Sequence, residues 1–284
     1  MQRLKDLLDA IKFEHTIFAM PFALLSLFLA SDGWPRLGVL LWVIVAMVGA
    51  RSSAMMMNRI ADRRIDAKNP RTASRQLPSG VVSLPAAWVF TLVSAALLVW
   101  AAFQLNPLAF QLSPVALAVI WAYSWTKRFT WAAHLWLGLS LGLAPLGAWI
   151  AATGSLQATP LLIGLGVLLW VAGFDTIYSC QDAAFDRQQG LHSLPSRWGT
   201  ARALQLARLF HTLMLLVFVV LGVWIDATWL YWGGWLLVGG LVIVQHRLVN
   251  PDDLSHIDIA FFNVNSIVGV LLLVFTLADQ FLLG

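Results

Sequence analysis

Long apolar stretches separated by short polar segments dominate the pattern of hydrophobic and polar positions along this 284-residue chain. Each stretch is about twenty residues long, which is the length that an α-helix needs to cross the hydrocarbon core of a bilayer. The pattern predicts nine such helices, at residues 13–31, 37–57, 84–104, 108–126, 132–152, 160–180, 204–223, 227–247 and 259–282. We therefore expect an all-α, polytopic membrane protein.

Composition supports this class, because 60% of the residues are hydrophobic and only 11% are charged. Except for Arg36 and Arg51, the 18 Lys and Arg residues lie in the N-terminal tail or near the segments after the second, fourth, sixth and eighth predicted helices. Positive charge collects on the cytoplasmic side of membrane proteins. We expect a bacterial-type inner membrane protein with a cytoplasmic N-terminus and an external C-terminus. Attraction to anionic lipid accounts for the basic residues, so no nucleic-acid partner is assigned.

Two motifs about half a chain apart carry polar residues at every fourth position. They are Asn58, Asp62 and Asp66 in the first, and Tyr178, Asp182 and Asp186 in the second. In a helix this spacing places the residues along one face. Each motif follows a long apolar run, so its carboxylates are expected near a membrane surface or in a cavity that opens onto it.

Paired carboxylates followed by basic residues suit hard cations. Mg²⁺ in particular is typically held by one or two carboxylates together with the phosphate oxygens of a substrate. The motifs therefore predict a diphosphate held with its metals by both clusters, with Lys127 and Arg128 neutralising its remaining oxygens. Ordinary charged residues at the interface are the alternative, but the recurrence of one spacing in two places favours a binding site.

Two further charges lie about two helical turns inside the membrane. Arg51 precedes Asn58 by seven residues, and Asp175 precedes Asp182 by seven. A charge near the middle of the bilayer costs roughly 2.5–3.5 kcal/mol on insertion scales, so it normally faces the interior of the helix bundle and finds a partner. Two interpretations stay open: Arg51 pairs with Asp175, or Arg51 contacts an anionic group of a substrate.

The polar segment that follows the first motif, residues 67–84, contains Arg71, Arg75, Pro78 and Gly80. It is too polar to lie in lipid and long for an inert connection. A lid over the site is one interpretation, and a flexible cytoplasmic linker is the other.

At these positions the chain resembles the UbiA superfamily of intramembrane aromatic prenyltransferases over nearly its full length. The matching segments are Asn58-x3-Asp62-x3-Asp66, Asn-Pro-Arg-Thr at 69–72 with Arg75 and Pro78, Tyr-Ser-Trp-Thr-Lys-Arg at 123–128, and Asp175-x2-Tyr178-x3-Asp182-x3-Asp186. The resemblance implies one domain over residues 1–284, with nine helices around a central cavity. A transporter, which also carries charges at membrane depth, and a purely structural subunit are the alternatives from other classes.

The resemblance also implies the chemistry. Mg²⁺ held by both motifs binds the diphosphate of a polyprenyl donor and promotes its departure, and the allylic cation then alkylates an electron-rich aromatic ring. Expected metal ligands and catalytic residues are Asp62, Asp66, Asp182 and Asp186, with Tyr178 beside the acceptor or the cation. Expected substrate-binding residues are Asn58, Arg51, Arg71, Lys127, Arg128 and Asp175.

The acceptor is expected to be a small hydroxylated aryl carboxylate. Family members close to this pattern include 4-hydroxybenzoate polyprenyltransferases of ubiquinone synthesis. The tracts at 12–16, 181–186 and 190–195 are equally similar to a branch proposed to prenylate a dihydroxynaphthoate in a menaquinone route. Both acceptors stay open.

Overall fold

The computed structural model describes residues 6, 7, 9, 10 and 18–283. The tract at 12–16 and the beginning of the first predicted helix lie outside these residues. The described part of the chain is helical and contains no β-strand. Its helices are α1 (Met20–Ala30), α2 (Leu37–Asp66), α3 (Leu84–Leu105), α4 (Pro107–Thr126), α5 (Ala133–Thr153), α6 (Ala158–Ser179), α7 (Ala183–Gln188), α8 (Leu194–Trp224), α9 (Trp229–Arg247) and α10 (Asn265–Leu282), the last preceded by a π-helical turn, Ile259–Val264.

The all-α membrane class predicted from the sequence is confirmed. Every predicted span overlaps a helix, and seven of the described helical segments are long and apolar enough to cross a bilayer. Two predicted spans match helices that are not among these seven segments. One is α1, which has 11 described residues, and the other is α9, whose tryptophans and glycines lower its mean hydropathy.

The chain divides into two compact units. The first comprises residues 1–16 and 36–125, and within it α2 packs along α3. The two helices approach closely at Gly49, where an added Cβ would lie 2.8 Å from the carbonyl oxygen of Ser94. A small apolar core that includes Ala10, Met56 and Ile60 lies at one end of this pair. The single domain predicted over residues 1–284 stays a prediction.

The second unit comprises residues 17–35 and 126–284. Its core is built around Trp170 of α6, which is fully buried and packs against Phe22 of α1 with ring centroids 5.1 Å apart. Helices α5 and α6 nearly touch at Gly138, where an added Cβ would lie 2.3 Å from the carbonyl oxygen of Leu168. Close packing of this kind through small residues is common between membrane helices.

Helix α9 is held at its beginning by a buried acid of α10. The carboxylate of Asp279 accepts hydrogen bonds from the backbone N–H of Thr228, at 2.9 Å, and of Tyr231, at 3.0 Å. These are N–H groups at the start of a helix, which have no partner inside it, so the acid caps α9 and ties it to α10.

Candidate active site

The first carboxylate cluster lies in the last turns of α2. This helix continues to Asp66, well beyond the predicted end of the apolar span at residue 57. Asn58, Asp62 and Asp66 therefore occupy successive turns of one continuous helix, as their spacing predicted. The side-chain N–H of Asn58 donates to Asp62 at 3.3 Å. Asp62 and Asp66 are buried, at 2% and 5% exposure.

The segment after α2 folds back onto this cluster. One guanidinium nitrogen of Arg75, Nη1, lies 2.9 Å from each carboxylate oxygen of Asp66. The hydroxyl of Thr72 donates to the backbone carbonyl of Asp66 at 3.0 Å. The backbone N–H of Arg71 donates to the side-chain oxygen of Asn69 at 3.0 Å, while the residue itself is exposed. The turn-rich segment is thus attached to the acid that ends the motif.

A second arginine beside the first cluster, Arg59, is not among the site residues predicted from the sequence. Arg59 is only 6% exposed, and its Nε–H donates to the backbone carbonyl of Ala10 at 3.0 Å. It interacts electrostatically with Asp62 and Asp66. Its position three residues before Asp62 indicates the contact, because residues three apart are neighbours on the surface of a helix. Arg51, two turns earlier, is half-buried.

The second motif lies on one helical segment, Ala158–Gln188, but the type of helix changes within it, which the spacing did not indicate. Helix α6 ends at Ser179, a 3-10 turn covers Cys180–Asp182, and α7 begins at Ala183. Near this point the hydroxyl of Ser179 and the thiol of Cys180 both donate to the carbonyl oxygen of Thr176, at 2.8 and 3.4 Å. Side chains that bond to carbonyls of the preceding turn compete with the hydrogen bonds of the helix, although Thr91 makes the same kind of bond inside the continuous α3.

Beyond the 3-10 turn, Asp186 is held by the beginning of α8. The hydroxyl of Ser193 donates to Asp186 Oδ2 at 2.9 Å and accepts from the N–H of Ser196 at 3.2 Å. The hydroxyl of Ser196 in turn accepts from the N–H of Ser193, which completes a capping box at the start of the helix. One serine therefore both starts α8 and orients a carboxylate of the motif.

Lys127 and Arg128 are the two basic residues predicted to contact the diphosphate, and Lys127 lies close to the second cluster. The backbone carbonyl of Lys127 accepts from the N–H of His192 at 2.7 Å, which connects the turn after α4 to the segment before α8. Lys127 and Asp182 both interact electrostatically with Asp186. Arg128 is exposed. Tyr178 stacks on Phe261, with ring centroids 4.2 Å apart.

Asp175 has a partner that the sequence did not suggest. Nδ1 of His134, at the beginning of α5, lies 2.7 Å from Asp175 Oδ2, and Nε2 of the same ring lies 3.2 Å from the backbone N–H of Leu194. The backbone N–H can only donate, so Nε2 accepts and the proton of the neutral ring is on Nδ1. His134 therefore donates to Asp175 and accepts from the first residue of α8.

The carboxylates of each cluster fit a metal ion that also takes ligands from a phosphate group. Among the described residues, no group of three His, Cys, Asp or Glu side chains could hold a metal ion alone. Each cluster instead offers two carboxylates. Mg²⁺ is typically bound in proteins by one or two carboxylates, with phosphate oxygens and water completing the shell.

The helical architecture and the paired carboxylates define a multi-pass helical membrane protein with two separate acidic clusters. The sequence model of the UbiA prenyltransferase family matches residues 19–267, and the chain belongs to this family. It is therefore an aromatic prenyltransferase, and the transporter and structural-subunit alternatives are set aside.

Relatives of known name and structure agree with this family. The chain is 32% identical over 245 residues to the 4-hydroxybenzoate octaprenyltransferase of Vibrio atlanticus, covering 86% of each protein. A UbiA homolog from Aeropyrum pernix K1, solved in its apo form, is 33% identical with a TM-score of 0.85, covering 94% of this chain and 98% of its own. A UbiA homolog from Archaeoglobus fulgidus bound to DMAPP and Mg²⁺ shares the fold at 18% identity, with a TM-score of 0.74 over 98% and 100% of the two chains.

Proposed function

We propose that this protein transfers a polyprenyl group from polyprenyl diphosphate to the ring of a hydroxylated aromatic carboxylate, in the biosynthesis of a respiratory quinone. The observation that carries the proposal is the doubled carboxylate cluster in a chain that belongs to the UbiA prenyltransferase family. The family match takes in both compact units, which supports one functional domain over residues 1–284.

Asp62, Asp66, Asp182 and Asp186 are the proposed ligands of Mg²⁺. When it is bound, the ion stabilises the negative charge that develops on the departing diphosphate. Asn58 donates to Asp62 and so keeps one oxygen of that carboxylate oriented. Ser193 does the same for Asp186. These hydrogen bonds fix the carboxylates before the substrate arrives, which lowers the cost of ordering them on binding.

Lys127, Arg128 and Arg71 are the proposed cationic contacts of the diphosphate. Lys127 interacts electrostatically with Asp186, so positive charge is placed beside the acidic cluster. In the reaction the allylic C–O bond of the donor breaks and its electron pair leaves with the diphosphate. A ring carbon of the acceptor forms the new C–C bond, and loss of its proton restores aromaticity. Tyr178 is proposed to border the acceptor or the cation.

The acceptor that we propose is 4-hydroxybenzoate. The relatives from Vibrio atlanticus and from Photobacterium profundum, at 32% and 31% identity, are 4-hydroxybenzoate octaprenyltransferases. Arg51, half-buried in α2, is the residue proposed to contact the carboxylate of the acceptor, and Asp175 is proposed to border the same substrate. A bidentate contact from a guanidinium suits a planar carboxylate.

The membrane orientation that we propose follows from the distribution of basic residues. The N-terminus and both carboxylate clusters lie on the cytoplasmic side of the inner membrane, and the C-terminus lies outside. A water-soluble acceptor then reaches the site from the cytoplasm, while the polyprenyl tail stays in the lipid bilayer.

The test is a prenyl-transfer assay on purified protein with Mg²⁺ and polyprenyl diphosphates of several lengths. 4-Hydroxybenzoate and 1,4-dihydroxy-6-naphthoate are offered in parallel, and product masses are recorded. The parent protein should prenylate 4-hydroxybenzoate. Asp182→Asn should abolish turnover, whereas the matched control Asp252→Asn, in an exposed segment after α9, should retain it.

Product from the naphthoate alone would replace the proposed acceptor and place the enzyme in a menaquinone route. Full activity of Asp182→Asn would overturn the metal assignment of the second cluster.

A further inference from the structure

A groove outside both carboxylate clusters opens between α8 and α9 on the surface of the second unit. Its volume is about 700 Å³. One end is polar and basic, and it is formed by Arg208 and Thr212 of α8 and by His246 and Arg247 at the end of α9. Both arginines are exposed. Among the described residues that line the groove none is acidic, so its charged end carries positive charge alone.

The rest of the groove is apolar and ends at a tryptophan. An added Cβ at Gly239 or Gly240 would meet nothing within 4 Å, so this glycine pair leaves open space on one side of α9. At the far end the indole N–H of Trp235 donates to the backbone carbonyl of Leu215 at 3.0 Å, which joins the two helices. The groove is therefore shallow and apolar, with Trp235 at one end and basic side chains at the other.

The length of the groove matches one leaflet of a bilayer. Twelve residues separate Trp235 from Arg247, which corresponds to about 18 Å of helix. One leaflet contributes roughly 15 Å of hydrocarbon. A ligand with an anionic head group at the two arginines and an acyl chain along the two glycines would thus lie parallel to the lipids of that leaflet.

The polar end is also held in a defined geometry. Nε2 of the buried His211 lies 3.2 Å from the carbonyl oxygen of Trp170, and its Nδ1 lies 2.9 Å from Nε2 of His246. The carbonyl can only accept, so His211 donates through Nε2 and, in its neutral form, accepts from His246 through Nδ1. The ring of His246 is thereby fixed beside Arg208, with which it interacts electrostatically.

We propose that this groove binds an anionic phospholipid, with its phosphate on Arg208 and Arg247 and one acyl chain along Gly239 and Gly240. Guanidinium groups bind phosphate oxygens with two parallel hydrogen bonds, and an anion relieves the repulsion between like charges. The bound lipid joins α8 to α9. Helix α8 is kinked at Gly199, so the lipid stabilises the part of α8 after that kink together with α9.

The test measures lipid binding by native mass spectrometry and thermal unfolding of the purified, delipidated full-length protein. The probe is phosphatidylglycerol, and phosphatidylcholine with the same acyl chains is the comparison. The variants are the double substitution Arg208→Gln with Arg247→Gln, and Gly240→Leu, which fills the channel. Arg202→Gln is the matched control, because Arg202 is exposed on the same helix and does not line the groove.

Phosphatidylglycerol should raise the unfolding midpoint of the parent and of Arg202→Gln. The double variant should bind it on the order of a hundredfold more weakly, because two charge-assisted contacts are lost. Gly240→Leu should also lose the effect. Equal stabilisation by phosphatidylcholine, or unchanged binding in the double variant, would overturn the proposal. Displacement of the lipid by geranylgeranyl diphosphate, with a raised KM for the donor in the double variant, would also overturn it and assign the groove to the prenyl donor.

Discussion

The imidazole of His134 makes two hydrogen bonds within the second unit, one to Asp175 and one to the backbone N–H of Leu194. Different substitutions of His134 should remove these bonds together or one at a time. His134 is buried and Asp175 is half-buried, with side chains 5% and 18% exposed. His134→Ala removes the donor to Asp175 and the acceptor of the Leu194 N–H together. A lost hydrogen bond to a charged group costs about 1.5–3 kcal/mol, and a buried N–H left without an acceptor costs about 1–3 kcal/mol. We therefore expect a loss of about 3–5 kcal/mol in the free energy of unfolding.

Two conservative variants divide this effect. Asn carries its amide nitrogen where the imidazole has Nδ1, so His134→Asn can still donate to Asp175 but does not reach the N–H of Leu194. Gln reaches further, so His134→Gln can accept from Leu194 but lacks the nearer donor. If His134 positions Asp175 for the acceptor, His134→Gln should lower kcat/KM about ten- to a hundredfold, mainly through KM for the acceptor. His134→Asn should lose stability and keep most of its activity.

The assay combines steady-state kinetics in both substrates with thermal unfolding in detergent, monitored by tryptophan fluorescence. His256→Asn, a histidine exposed in the segment before the π-helical turn, is the control for the substitution itself. Equal kcat/KM in the parent, His134→Asn and His134→Gln would refute the positioning role, whatever their unfolding midpoints. It would leave His134 as a residue that only stabilises the fold.

Three further predictions follow from separate observations. Chelation of Mg²⁺ should stop turnover and readdition should restore it, whereas activity in excess chelator would contradict the metal assignment. Arg75→Gln removes the ion pair to Asp66, whose side chain is only 7% exposed, and should cost about 1.5–3 kcal/mol in unfolding experiments. An unchanged free energy of unfolding would show that the contact contributes nothing to stability. Gly138→Ala should lower the free energy of unfolding by about 1–3 kcal/mol, because the added Cβ meets the backbone of α6. Gly147 lies in the same helix and has open space beside it, so Gly147→Ala should be neutral or stabilising. A change of the same sign in both variants would contradict the close packing at Gly138.

The helices and the first cluster could be predicted from the sequence because both are local properties. Hydropathy over about twenty residues determines whether a segment can lie in lipid. The i, i+4 spacing of Asn58, Asp62 and Asp66 places them in successive turns whenever the helix is continuous, as α2 is. Arg75 lies only nine residues from Asp66, so its contact is also local, although no periodicity indicates which basic residue of the loop makes it.

The second cluster could be predicted only in part, because its geometry depends on side-chain chemistry and on distant partners. The repeat from Tyr178 to Asp186 indicates a helix, but it does not indicate that Cys180–Asp182 form a 3-10 turn between α6 and α7. His134 lies 41 residues from Asp175 along the chain, and no pattern in the sequence connects them.

The two clusters consequently differ in how their carboxylates are held. In the first, the partners of Asp62 and Asp66 lie four and nine residues away, so helix continuity and one adjacent loop suffice. In the second, the beginning of α8 donates to Asp186 through the hydroxyl of Ser193 and to His134 through the next backbone N–H. A displacement of this single turn therefore acts on two acids at once, one directly and one through the imidazole.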